Sequence, residues 1–97
     1  MEANTNKFNR EVENYVDNEV AAFATKINNV ESIKCVRKVN DIYMELIHED
    51  SAVRYFDITG LDTSGIGIMI GHIIANQPVQ REIKDREAKK EIRRMFK

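Results

Sequence analysis

The stretch from 61 to 74 reads Leu-Asp-Thr-Ser-Gly-Ile-Gly-Ile-Met-Ile-Gly-His-Ile-Ile, and it constrains the fold more than any other. It is the most apolar run of the chain, yet it holds three of the four glycines. Ile66, Met69, Ile70, Ile73 and Ile74 follow the i, i+3, i+4, i+7, i+8 series of one helix face. Asp62 or Ser64 can cap the free N–H groups at its start, and Pro78 forbids extension far past Asn76. This predicts a central helix over 62–76. The rival reading is a strand, because Ile66, Ile68, Ile70, His72 and Ile74 also alternate and β-branched residues suit strands. Each glycine weakens either element by roughly 0.5–1 kcal/mol, so a packing reason is expected for them. Gly67 and Gly71 stand four apart, where a second backbone could approach, and this makes a homodimer a candidate state.

At 97 residues the chain predicts a single domain, 1–97, with one modest core. Net charge is −1, which excludes a chain that is basic or acidic throughout. The charge is divided unevenly. Residues 1–78 carry 7 basic and 12 acidic side chains, whereas 79–97 carry 8 basic and 4 acidic. Cys35 is the sole cysteine, so no disulfide can form within the chain, which fits a reducing, cytoplasmic setting. The N-terminus is polar and acidic, unlike a signal peptide. No apolar run reaches the ~20 residues of a membrane helix, so no membrane partner is expected.

Residues 5–28 read as a long amphipathic helix with Phe8, Val12, Tyr15, Val16, Val20, Phe23 and Ile27 on one stripe. It is long enough to span the domain or overhang it, and Asn28-Asn29 is its expected stop. Residues 31–59 read as a three-stranded meander. Asn40-Asp41 suggests a two-residue turn pairing Val39 with Ile42. The second turn is decided by parity. A two-residue Asp50-Ser51 loop would bury Asp57 and expose Phe56. A three-residue Glu49-Asp50-Ser51 loop brings Phe56 and Ile58 inside, and that register is expected. Residues 78–96 read as a charged C-terminal helix with a thin apolar stripe that includes Ile83, Ala88 and Ile92. Glu82–Arg86 and Asp85–Lys89 are its expected ion pairs. The predicted fold class is α+β, a three-stranded antiparallel meander with helices packed on it, in the order αβββαα.

Two surfaces could do work. The outer sheet face gathers Val36, Tyr43, Ile47, Val53 and Tyr55, a mixture suited to a protein interface unless the last helix covers it. The last helix offers Arg86, Lys89, Lys90, Arg93 and Arg94 to nucleic acid, although its four acids weaken that reading.

Enzyme chemistry is not evident. His48 and His72 stand in different elements with no ligand at metal spacing, so no metal site is expected. Cys35 alternates with apolar neighbours like a small core residue. The spacing Gly65-x-Gly67-x-x-x-Gly71 departs from a dinucleotide loop, and no cofactor is expected. Scattered acids such as Asp41, Asp50 and Asp57 form no acid–base pair.

The run Tyr55-Phe-Asp-Ile-Thr-Gly-Leu-Asp62-Thr-Ser64-Gly65-Ile-Gly67-Ile-Met-Ile-Gly71 resembles the motif of STAS domains, the anti-sigma factor antagonists. That resemblance implies a phosphorylated switch at Ser64. It covers less than a fifth of the chain, and the rest departs from the STAS order. The element order itself resembles that of small phage-encoded inhibitors, including type II-A anti-CRISPR proteins. This implies a non-enzymatic inhibitor or regulator that occupies a partner protein's working surface. Double-stranded RNA-binding domains share part of the order, but their lysine cluster is absent at Asp62-Thr-Ser-Gly65.

Overall fold

The computed structural model describes residues 10–27, 29–38 and 41–95. Residues 10–26 form helix α1. It is α-helical over 10–14, widens into a π-helix over Tyr15–Val20 and tightens into a 3-10 helix over Ala21–Lys26. Of the remainder of the expected 5–28 span, Ile27 is described and not helical, whereas positions 5–9 and 28, and any overhang there, lie outside the described residues. Val12, Val16 and Val20 are buried, but Phe23 departs from the expected stripe and is 44% exposed. Asn29 adopts the left-handed region at φ 66, which Asn tolerates better than most residues. Its carbonyl accepts from Glu49 N at 2.8 Å and from His48 Nδ1 at 3.0 Å, fastening the end of α1 to the sheet.

Strands β1 (Val30–Lys38), β2 (Asp41–His48) and β3 (Val53–Asp57) form one antiparallel sheet in the order β1-β2-β3. The second hairpin has the expected three-residue loop. His48 N donates to Ala52 O at 2.8 Å, and Ser51 takes φ 74, as loops of this length require. Met44 therefore faces Phe56, and both are fully buried with Ile58. The first hairpin departs from expectation. Arg37 pairs with Ile42 and Lys38 with Asp41, so Ile42 does not pair with Val39; residues 39 and 40 lie outside the described residues. The shift is two residues, so each side chain keeps its predicted face. An irregularity between Val30 and Ser32 turns Val30 into the core beside Ile33, breaking the simple alternation of β1.

Helix α2 (Thr63–Ile74) is the central helix, and the strand reading of this stretch is excluded. Asp62 supplies its cap: the carboxylate accepts from Gly65 N at 2.8 Å. At the other end Gln77 N donates to His72 O and Asn76 N to Ile73 O, with Asn76 left-handed at φ 59, a Schellman stop two residues before Pro78. The expected packing reason holds for Gly65, where a Cβ would meet Leu61 Cδ2 at 3.1 Å. It does not hold elsewhere within the chain. At Gly67 the contact with the Tyr15 hydroxyl would be an ordinary 3.5 Å, and at Gly71 nothing lies within 4 Å. Gly71→Ala is therefore expected to stabilise the fold by about 0.8–1 kcal/mol through helix propensity, raising the melting temperature by several degrees in a thermal scan.

The last helix departs furthest from expectation. It is α3 (Arg86–Met95), not 78–96. Asp85 is its cap, accepting from Glu87 N at 3.1 Å while its carbonyl receives Lys89 N at 3.0 Å. The preceding residues instead satisfy the open edge of β3. Asp57 N donates to Arg81 O at 2.9 Å, Ile83 N donates to Tyr55 O at 2.8 Å, and Glu82 bridges Phe56. A sheet edge carries a row of unpaired backbone groups, and pairing them outweighs the weak ion pairs a longer helix would gain. Neither expected ion pair forms. Glu82 instead makes a two-pronged bridge to Arg54 at 2.8 and 3.0 Å, and the Arg54 guanidinium holds its carboxyl below the usual glutamate range.

Two apolar clusters result. The larger lies between α1, α2 and one sheet face, and includes Val16, Met44, Leu46, Phe56, Ile66 and Met69. The smaller lies on the opposite face, where Val36, Tyr43 and Tyr55 pack with Ile92 of α3, flanked by Val53 and Ile83. The molecule is thus three layers: two helices, the sheet, and α3.

Candidate binding groove beside the last helix

The docking of α3 decides which predicted surface is available. Tyr55 is 1% exposed and Ile92 2%, and Val36 and Tyr43 are also buried. Val53 and Ile47 are half-buried. The face expected to meet a partner is therefore a second core. The physical reason is that four of the five, Val36, Tyr43, Val53 and Tyr55, find an internal partner in the apolar edge of α3, whereas Ile47 joins neither cluster. Beneath that cover the Tyr55 hydroxyl donates to Glu45 Oε2 at 2.6 Å, and Lys34 Nζ approaches the same carboxylate at 3.5 Å. Burial, and then the bond to Glu45, push the Tyr55 hydroxyl above the ordinary tyrosine range.

The late start of α3 also changes its electrostatics. Glu82 and Asp85 fall outside the helix, leaving Glu87 and Glu91 as its acids against five bases. At ~100° per residue, Lys89, Arg93, Arg86, Lys90 and Arg94 occupy a continuous arc of about 140°, with Glu87 and Glu91 together on its far edge. Four of these bases, Arg86, Lys89, Lys90 and Arg93, line a groove of about 400 Å³. Its other wall is the β2–β3 hairpin at Ser51, Ala52 and Val53, continued by Tyr55 of β3. Arg94 lies outside the lining and is exposed. Lys90 has Glu87 at 4.0 Å, a weak contact with both side chains exposed.

Two further hollows adjoin the groove. One of about 770 Å³ shares Ala52, Val53 and Lys89 with it and carries Arg54 and His48, with Glu49 and Asp50 on its rim. The next, of about 530 Å³, shares Asn29, His48 and Arg54 with the second and is floored by Ile27, Ile73 and Ile74. The His48 Nδ1 faces a carbonyl, which can only accept, so that nitrogen carries the proton.

The other candidates lie apart from this track. Ser64 is exposed near the start of α2, across the sheet from α3. Cys35 is half-buried against the main core, and burial, reinforced by Glu13 and Asp17, pushes its thiol up to about 12. It stays protonated at neutral pH and is a poor nucleophile. Among the described residues no group of three or more His, Cys, Asp or Glu could hold a metal ion, and no helix is long and apolar enough to cross a membrane.

The basic residues of the groove were readable in the sequence, but its hairpin wall and the adjoining hollows were not. Asp85 before Arg-Glu-Ala-Lys was the available signal, since a cap there ends any helix reading of 78–84. The chain was compared with protein-family models, curated proteins and solved structures, and matches none of them.

Proposed function

We propose that this chain is a small non-enzymatic protein-binding module, an inhibitor or regulator, and that it engages an acidic partner through the basic side of α3 and the β2–β3 hairpin. The observation that carries the reading is the groove itself: four cations converge on one concave strip beside neutral hairpin residues. Charge complementarity of this kind speeds encounter and selects partners by sign. The partner site thus shifts from the covered sheet face toward its covering helix, with Val53 and Tyr55 of the expected set still lining the groove. The switch that the STAS-like motif implies at Ser64 is no part of this proposal, because Ser64 lies on the other side of the sheet.

The segregated bases of α3 also favour a second reading, nucleic-acid binding through Arg86, Lys89, Lys90, Arg93 and Arg94. Fluorescence anisotropy separates the two. A labelled glutamate peptide should bind at ~50 mM salt and weaken at ~200 mM, while duplex DNA and RNA bind more weakly. Tighter binding of duplex with a steep salt slope would replace the protein reading by the nucleic-acid one. Homodimerisation through α2 belongs to the same proposal, and a single-chain mass by sedimentation at high micromolar concentration would end it.

A further inference from the structure

We infer that the groove and the two hollows beside it act as one bipartite site for an extended peptide, with acidic residues held along α3 and an apolar side chain seated among Ile27, Ile73 and Ile74. This rests on the reading of the groove as the working surface and adds the sequence of the partner segment. Continuity comes from shared walls. Lys89, Ala52 and Val53 border both the groove and the middle hollow, and Asn29, His48 and Arg54 border both the middle hollow and the last one.

The chemistry changes along the track. The first part is cationic on one wall and neutral on the other. The middle part places Glu49 and Asp50 on the rim, and Asp50 is held there by accepting Ala52 N at 3.0 Å. In the far part Ile27 and Ile73 are buried while Ile74 is 52% exposed, with Asn29, His48, Arg54 and Asn76 around it. The polar side chains supply more of the exposed lining than the isoleucines do, so the apolar seat is the exposed side chain of Ile74 within a polar surround, a place for one side chain with hydrogen-bonding groups beside it. The Arg54 charge there is already committed to Glu82 through two hydrogen bonds.

The acidic rim decides the class of partner. A nucleic acid carries a phosphate at every step and would meet Glu49 and Asp50 with the same charge. A peptide can place its acids in the first part, a neutral spacer past the rim, and an apolar residue at the end. Helix α3 has ten residues and is roughly 15 Å long, which an extended peptide covers with about five residues.

The test is anisotropy with two fluorescein-labelled peptides, each of about five glutamates and a Gly-Ser spacer, ending in leucine or in serine. Each is made in both chain directions. The leucine peptide is expected to bind wild type about tenfold more tightly than the serine peptide. Ile74→Ser should abolish that difference while leaving the serine peptide unaffected, and its thermal melt should match wild type because the site is exposed. Lys90→Glu with Arg93→Glu should remove binding of both peptides. Equal affinity for the two peptides, with binding still lost in the charge variant, would overturn the bipartite site and leave the groove reading standing. Failure of every acidic peptide to bind at low salt, or tighter binding of duplex DNA, would overturn both.

Discussion

Phe56→Ala is expected to lower stability by about 3–5 kcal/mol and the melting temperature by roughly 15–25 °C. Phe56 is fully buried and sits opposite Met44 in the main core. Its ring also lies 5.0 Å under the Arg54 guanidinium, which is fixed by Glu82, so truncation loses this contact as well as the packing. A domain of this size has a total stability of about 5–15 kcal/mol, and a substantial unfolded fraction at 37 °C is the expected outcome. The result depends on the three-residue loop at Glu49-Asp50-Ser51. With a two-residue loop Phe56 would point toward α3 instead and would lose both its place opposite Met44 in the main core and its contact with Arg54. Chemical denaturation measures the difference, and a loss under about 1 kcal/mol contradicts the register described here.

Ile92→Asp should have a different kind of effect. Ile92 is the buried residue by which α3 holds the second core. A carboxylate cannot be placed there without a cation partner, so α3 is expected to lift away rather than bury it. A helix of ten residues is too short to persist alone in water, and it should melt once undocked. The main core between α1, α2 and the sheet does not include Ile92 and should remain folded. Hydrogen exchange should therefore show lost protection over Arg86–Met95 with β2 and α2 still protected. The Tyr55 hydroxyl, freed from burial, should titrate closer to the ordinary tyrosine range. Acidic-peptide affinity should fall by at least about tenfold, because the four groove cations are no longer held in one geometry. Protection of α3 equal to wild type would contradict its role as the cover, and cooperative loss of the whole fold would contradict the separation of the two cores.

Much of the fold was legible because local signals agreed with the tertiary result. Asp62 caps the helix it was expected to cap, Asn76 and Pro78 stop it, and loop parity placed Phe56 and Ile58 inside. The errors arose where a local pattern competed with a demand from elsewhere in the chain. Residues 78–85 carry acceptable helical spacing, but the edge of β3 needed hydrogen-bond partners, and residues 81–83 provide them. Gly71 suggested a packing constraint, yet it faces open space. The candidate site was half legible for the same reason. Composition marks Arg86, Lys89, Lys90 and Arg93 as basic, but no spacing rule says that their helix lies over Tyr55. That docking both removes the expected interface and creates the groove.

The most direct test of the central claim is an NMR titration of the isotopically labelled protein with the leucine-ended glutamate peptide, reading the amide shift of every residue. The account predicts the largest changes at Ala52, Val53 and residues 86–93, continuing to His48 and Ile74, with α1 and the start of α2 near Ser64 unmoved. Changes confined to α1 and the start of α2, or none at saturating peptide, would contradict it.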